Sequence, residues 1–168
     1  MIDLDIQISE NVSAALHNAE QLGGDLTSAM AEIARSLVTA TKFRFREQRG
    51  PDGVPWIPSK RALDEGGLTL IDSGDLFGSI KEDWGKDYAA AGPEASGGAA
   101  IYAAVHQWGA RITASVAKAL KTPFGPRGAV NIPARPYLGW NAESEAAVLD
   151  ILADHLQRAF TPTASGPA

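Results

Sequence analysis

Residues 25–48 read DLTSAMAEIARSLVTATKFRFREQ, and this stretch decides the architecture. Met30, Ile33, Leu37, Thr41 and Phe45 recur at spacings of three and four, and Ala34 and Val38 widen the stripe into one apolar face of a helix. Asp25 stands where an N-cap carboxylate would accept from the free amides of the first turn. Lys42, Arg44 and Arg46 crowd the last turns, where positive charge suits the negative end of the helix dipole. A helix this long and this one-sided needs a second layer to cover it.

The flanking segments supply that layer. Upstream, Leu4–Ser9 (LDIQIS) alternates apolar and polar residues as a half-buried strand does, and 12–22 predict a short helix closed by Gly23-Gly24. Downstream, Arg49–Gly67 (RGPDGVPWIPSKRALDEGG) holds three prolines and four glycines with no sustained period. A long excursion of this kind is uncommon in a domain unless it serves a function. Asp72 reads as the cap of a short helical segment holding Leu76, Phe77 and Ile80. Residues 80–84 and 87–92 predict a hairpin through Gly85, and 99–108 suit either helix or strand, with alanine favouring helix.

Residues 110–131 read as a second irregular and basic stretch, and Asn131–Trp140 as extended chain, since Pro133 and Pro136 exclude a helix interior. Asn141 is placed to cap a last helix, with Glu143 and Glu145 in its first turn and Val148, Leu149, Leu152, His155, Leu156 and Phe160 on one face. The expected class is α+β: a small antiparallel or mixed sheet packed against a long helix in the N-terminal half and a C-terminal helix, with two long irregular loops. One domain is expected over 1–160, followed by a tail at 161–168.

Composition narrows the chemistry. The 168 residues are 45% hydrophobic and 21% charged, as in a globular chain, and contain no cysteine. Disulfide scaffolds, thiol catalysis and thiolate zinc sites are thereby excluded. No run of about 18 apolar residues offers a membrane span, and the acidic start MIDLDIQISE lacks the basic opening of a secretory signal, so a cytosolic protein is expected. The net charge of −5 is unevenly spread. Residues 1–34 hold six acids and no base, whereas 111–135 hold Arg111, Lys118, Lys121, Arg127 and Arg135 and no acid. The two segments either balance within one fold or meet as charge-matched surfaces, between copies or on nucleic acid. A dedicated duplex-DNA binder is more often basic overall.

Catalytic patterns are sparse. Leu70-Ile71-Asp72-Ser73-Gly74 resembles the catalytic turn of aspartic proteases, in which two aspartates share a proton. No second Asp-Ser/Thr-Gly is present, and a helix cap explains the same residues. His17, His106 and His155 share no metal-binding spacing, and His106, beside Gln107 and Trp108, reads as a packed or hydrogen-bonded side chain. No nucleophile elbow and no phosphate loop occur, so no cofactor is expected. Trp56 and Trp108 border the irregular stretches, as interface anchors or as plugs closing a loop onto its own core; both readings stand. Arg135, held stiffly between Pro133 and Pro136, offers either a rigid bidentate fork or a surface charge.

Four segments in order, Phe45–Pro58 (FREQRGPDGVPWIP), Leu70–Leu76 (LIDSGDL), Tyr102–Gly109 (YAAVHQWG) and Ile132–Trp140 (IPARPYLGW), resemble the virion morphogenesis (tail completion) family of Mu-like and related tailed phages. The resemblance spans residues 25–160, and residues 1–24 do not map onto it. It implies a non-enzymatic virion protein of the tail or the head–tail neck, with a fold like that of tail terminators and neck proteins. Copies would form a ring, usually of six, each subunit offering one side surface to a different surface of its neighbour. The implied partners are sister copies, the tail tube protein and the head–tail connector or stopper proteins, with genomic DNA passing without sequence-specific binding and no membrane. Trp56, Trp108, Arg111, Lys118, Lys121, Arg127 and Arg135 are then the interface candidates. A DNA-binding or connector-stopper module is the alternative, and a protease acting through Asp72 the most remote reading.

Overall fold

A computed structural model of the chain describes residues 12, 13, 16, 17, 25–94, 98–114, 119–122 and 125–160. The periodic stretch forms helix α1, Thr27–Glu47, and buries Met30, Ile33, Ala34, Val38, Thr41 and Phe45 as its spacing requires. At its start Leu26, not Asp25, occupies the cap position. Asp25 still acts on the first turn, because its Oδ1 accepts from the Thr27 amide at 2.9 Å. Those hydrogen bonds from Thr27 hold its carboxyl below the usual aspartate range. At the other end Gln48 adopts the left-handed conformation, φ 57°, and turns the chain out of the helix.

The next elements are short: helix α2, Lys60–Glu65, helix α3, Asp75–Ser79, and strands β1, Ile80–Trp84, and β2, Ala89–Pro93. Asp72 does not cap α3. Gly74, with φ 89°, takes the cap position, and Ser73 Oγ accepts from the Asp75 amide at 3.3 Å. Asp72 is instead an exposed partner of Arg61, Nε to Oδ1 3.4 Å. The residue nearest the free amides is Ser73, whose hydroxyl reaches them across a shorter turn. Strands β1 and β2 pair antiparallel from Ile80–Pro93 to Trp84–Ala89, as the Gly85 turn predicts. Ala89 and Ala91, two apart and so on one face of β2, pack against the interior.

Helix α4, Gly98–Trp108, resolves the ambiguous alanine-rich stretch as helix. Residues 110–131 correct the expectation of an irregular loop. Strands β3, Ala110–Thr113, and β6, Ala129–Ile132, pair antiparallel, and so do β4, Leu120–Thr122, and β5, Gly125–Arg127. Prolines fall where a ladder tolerates them, Pro126 in the short outer pair and Pro133 just past β6. The last helix, α5, Ala142–Phe160, is capped by Asn141, whose Oδ1 accepts from the Ser144 amide at 2.9 Å. The fold is α+β, but its described strands form three separate two-stranded antiparallel ladders.

Two cores lie along α1. The first joins its N-terminal half to α5 through Leu26, Ala29, Met30, Ile33, Val148 and Leu152, with Val12 buried among them. Val12, Ser13, Leu16 and His17 are helical, in line with the helix expected at 12–22. The second gathers Val38, Phe45, Trp56, Leu76, Ile80, Ala103 and Tyr137 around the C-terminal half. Phe45 is fully buried there, with edge-on contacts to Trp56 at 5.6 Å and Phe77 at 5.8 Å and a tilted one to Tyr137 at 5.1 Å. The strand expected at 4–9 and the tail at 161–168 lie outside the described residues.

Candidate assembly surfaces

The Pro-Gly stretch after α1 is irregular yet firmly held. Gly53, at φ 77°, closes a tight turn in which Asp52 Oδ1 accepts from the Val54 amide at 3.1 Å. Trp56 then dives inward: its amide donates to Gln48 O at 2.8 Å and its Nε1 to Pro136 O at 3.0 Å. Arg135 returns the contact, Nε donating to Ile57 O at 2.7 Å. Farther along, Gln48 and Thr69 exchange two bonds, Thr69 N to Gln48 Oε1 at 2.7 Å and Gln48 Nε2 to Thr69 O at 3.0 Å. Arg61 Nη2 ties Leu68 O and Ile71 O at 2.7 and 3.1 Å. The outer side of this loop presents Val54, Ile57 and Leu63 to solvent, each more than half exposed.

The extended segment 133–140 is fastened to α4 at several points, three of them through the Gln107 side chain. Gln107 Oε1 accepts from the amides of Tyr137 and Leu138 at 3.0 and 3.1 Å, and its Nε2 donates to Leu138 O at 2.9 Å. A buried glutamine thus does for this chain what a neighbouring strand would do. Tyr137 Oη donates to Ala103 O at 3.1 Å, and burial pushes its phenol up to about 12. The Arg135 amide donates to His106 O at 2.7 Å. Burial, reinforced by Arg135, holds the His106 imidazole below its usual value, which keeps it neutral. Three of the four segments singled out in the sequence therefore bind one another, and the fourth joins through Arg61 to Asp72 and through Leu76 in the second core.

Two of the interface candidates are consequently interior. Trp56 is 6% exposed and Arg135 5%. For Trp56 the structure supports the inward reading, the indole plugging a loop onto its own core; Arg135 is neither a surface charge nor a bidentate fork, because its buried guanidinium serves a carbonyl of the same chain. Trp108 lies at the surface, 53% exposed. Arg111, Lys121 and Arg127 are all exposed on the β3–β6 arm, and Lys118 lies outside the described residues. None of the three forms an ion pair with a carboxylate among the described residues.

Sequence reasoning missed a groove of about 980 Å³ between α1, β2, α4 and the 137–140 segment. Leu37, Ala40, Ala91, Ala104 and Leu138 line its floor. The small side chains of β2 leave the space that larger residues would fill. Glu82, Asp83, Asp87 and Glu94, all exposed, also line it and give it an acidic rim. The neighbouring carboxylates, Asp83 first, raise the Tyr88 phenol above its usual value, as a negative field must. The acids at 82, 83 and 87 followed by the alanines at 89–91 were the available signal, but no periodic rule reads a concavity.

Asp72 is a single exposed carboxylate paired with Arg61, not one of a proton-sharing pair. Among the described residues no group of three or more histidines or acids could hold a metal ion, and no helix is long and apolar enough to cross a membrane.

Known proteins place these features in context. The profile of the phage virion morphogenesis family matches residues 7–157, which corrects the expectation that residues 1–24 lie outside the resemblance: the likeness reaches into residues 7–24. Protein G of Escherichia phage Mu, described as a capsid assembly protein, is 34% identical over 138 residues, covering 76% of this chain and 78% of its own. The Mu-like prophage FluMu G protein 2 of Haemophilus influenzae is 26% identical over 157 residues, covering 94% of this chain and 97% of its own. No solved structure matches.

Proposed function

The chain belongs to the phage virion morphogenesis family and serves in phage virion assembly, and from that premise we propose that it is a structural ring subunit of the head–tail neck. Six copies close a ring that completes the tail and offers a docking face to the head connector. The observation that carries this reading is the pairing of two unlike surfaces on one chain: a projecting basic arm at 110–132 and a recessed, acid-rimmed groove. A contact between unlike surfaces is head-to-tail, and it closes into a ring when the rotation per subunit divides a full turn. The description of the Mu relative as a capsid assembly protein supports a role in assembly.

The net charge of −5 suits a wall past which DNA slides, because a basic lining would hold phosphates and slow passage. Electron microscopy of the purified protein, alone and added to tails that lack it, tests the reading. Rings in solution or capping one end of the tail are expected, with the protein retained in finished particles. A chain that stays monomeric in both settings and is missing from particles would overturn it.

A further inference from the structure

The hairpin arm and the groove differ in shape, sign and support. The arm leaves the body at Gly109, and a bend at Gly128 separates β5 from β6 on its return. None of the arm's described residues is buried, and none lines the groove of its own chain. It carries Arg111, Lys121 and Arg127 and no acid, with Ile112 exposed among them. The surface it leaves open is contact area that a partner would cover.

The groove is its complement. Its lining is mostly apolar, and its charged residues are four acids against Lys81 and the buried Arg44. Tyr88 and Trp108, each about half exposed, offer aromatic faces beside those acids, and guanidinium groups settle on such faces. Duplex DNA carries the wrong sign for this recess. We infer that the occupant of the groove is the basic β3–β6 arm of a second copy of this chain, with Arg111, Lys121 and Arg127 against Glu82, Asp83 and Asp87. The inference rests on the ring reading and names the contact by which the ring closes. The charges set partner orientation and the rate of encounter, while the apolar floor takes up Ile112 and its neighbours.

Two full-length variants test it. One reverses the arm (Arg111→Glu, Lys121→Glu, Arg127→Glu); the other reverses the rim (Glu82→Lys, Asp83→Lys, Asp87→Lys). All six side chains are exposed, and circular dichroism checks that each variant is folded. Self-association is followed by sedimentation velocity, or by capping of tails if the wild type closes only there. Each variant alone should associate at least tenfold more weakly than wild type. An equimolar mixture should recover rings, because acidic arms then meet basic rims and wild-type arms meet wild-type rims around an alternating circle. Unchanged association of either variant, or no recovery on mixing, overturns the inference while wild-type rings leave the ring reading standing. Loss of salt-sensitive DNA retention by the arm variant with rings intact also overturns it. A wild type that forms no ring in solution or on tails removes both.

Discussion

The loop at 49–68 and the arm at 110–132 reverse what their sequences advertise. Apart from the six-residue helix α2 the loop has little regular structure, yet Trp56, Arg135 and the Gln48–Thr69 pair hold it through five hydrogen bonds. The arm is built of paired strands, yet none of its described residues is buried. Regularity satisfies the backbone and says nothing about anchorage, because ladder bonds form as well in a projecting hairpin as in a sheet packed on a helix. Anchorage comes from side chains that leave the element and find partners elsewhere. Its three prolines limit the entropy lost on ordering the loop, so a few inward side chains suffice to fix it.

The sharpest way to break the contrast is Trp56→Ala. Removing a buried indole beside Phe45 leaves a cavity and strips Pro136 O of its donor, so stability should fall by about 3–5 kcal/mol. Urea unfolding reads the loss. A fall below about 1 kcal/mol would mean that the loop is held at its ends alone and that the indole belongs to an interface. Trp56→Phe separates the two contributions, keeping the packing and losing the Nε1 bond, at roughly 1 kcal/mol.

Gln107→Leu probes the joint between α4 and the extended segment. Leucine fits the space but leaves the Tyr137 and Leu138 amides without their acceptor, at about 1–3 kcal/mol for each unsatisfied group. The loss should show in the same urea transition, together with faster amide exchange at Tyr137 and Leu138. Unchanged exchange there would show that water or another group satisfies them.

Gly109→Ala acts on the hinge from which the arm departs. Gly109 sits at φ 73°, and an added Cβ would stand 2.7 Å from Ala134 N and 2.9 Å from Ile132 O. The left-handed backbone alone costs about 1–3 kcal/mol for a residue with a side chain. Because the clash is with backbone, the arm must shift relative to α4. Stability should fall modestly, and ring closure should fall more. Equal and small effects on both would mean that the arm's angle does not matter.

How much of this was legible follows from where the controlling interactions lie. The stripe in α1, the Asn141 cap, the Gly85 hairpin and the α+β class are local, and residues within a few positions settle them. The inward turn of Trp56 depends on Pro136, 80 residues away, and the role of Gln107 on Leu138, 31 away. No local pattern carries such contacts, which is why Trp56 fitted an interface as well as a core and the burial of Arg135 was not read at all. Asp72 shows the same lesson at short range: two oxygens, on Asp72 and Ser73, could reach the free amides of α3, and Arg61 claimed the first. The arm was missed for a different reason. Its glycines and prolines read as breakers, but they fall at the strand ends and in the short outer pair, where a hairpin accepts them.

The smallest effect on stability should come from the arm itself. Arg111→Ala, Lys121→Ala and Arg127→Ala together remove three exposed cations with no ion-pair partner among the described residues. Substitutions at such sites usually change stability within about 0.5 kcal/mol. The urea midpoint should therefore hold while association weakens and loses its dependence on salt, since the charges that salt screens are gone. Hydrogen exchange adds an independent measure. Amides of β3 and β6 should open well below the global unfolding energy, whereas the Trp56 amide, donated to Gln48 O, should exchange only with global unfolding. Protection of the arm amides to the global level in the isolated chain would place the arm against the body and remove the reason for it to seek a neighbour.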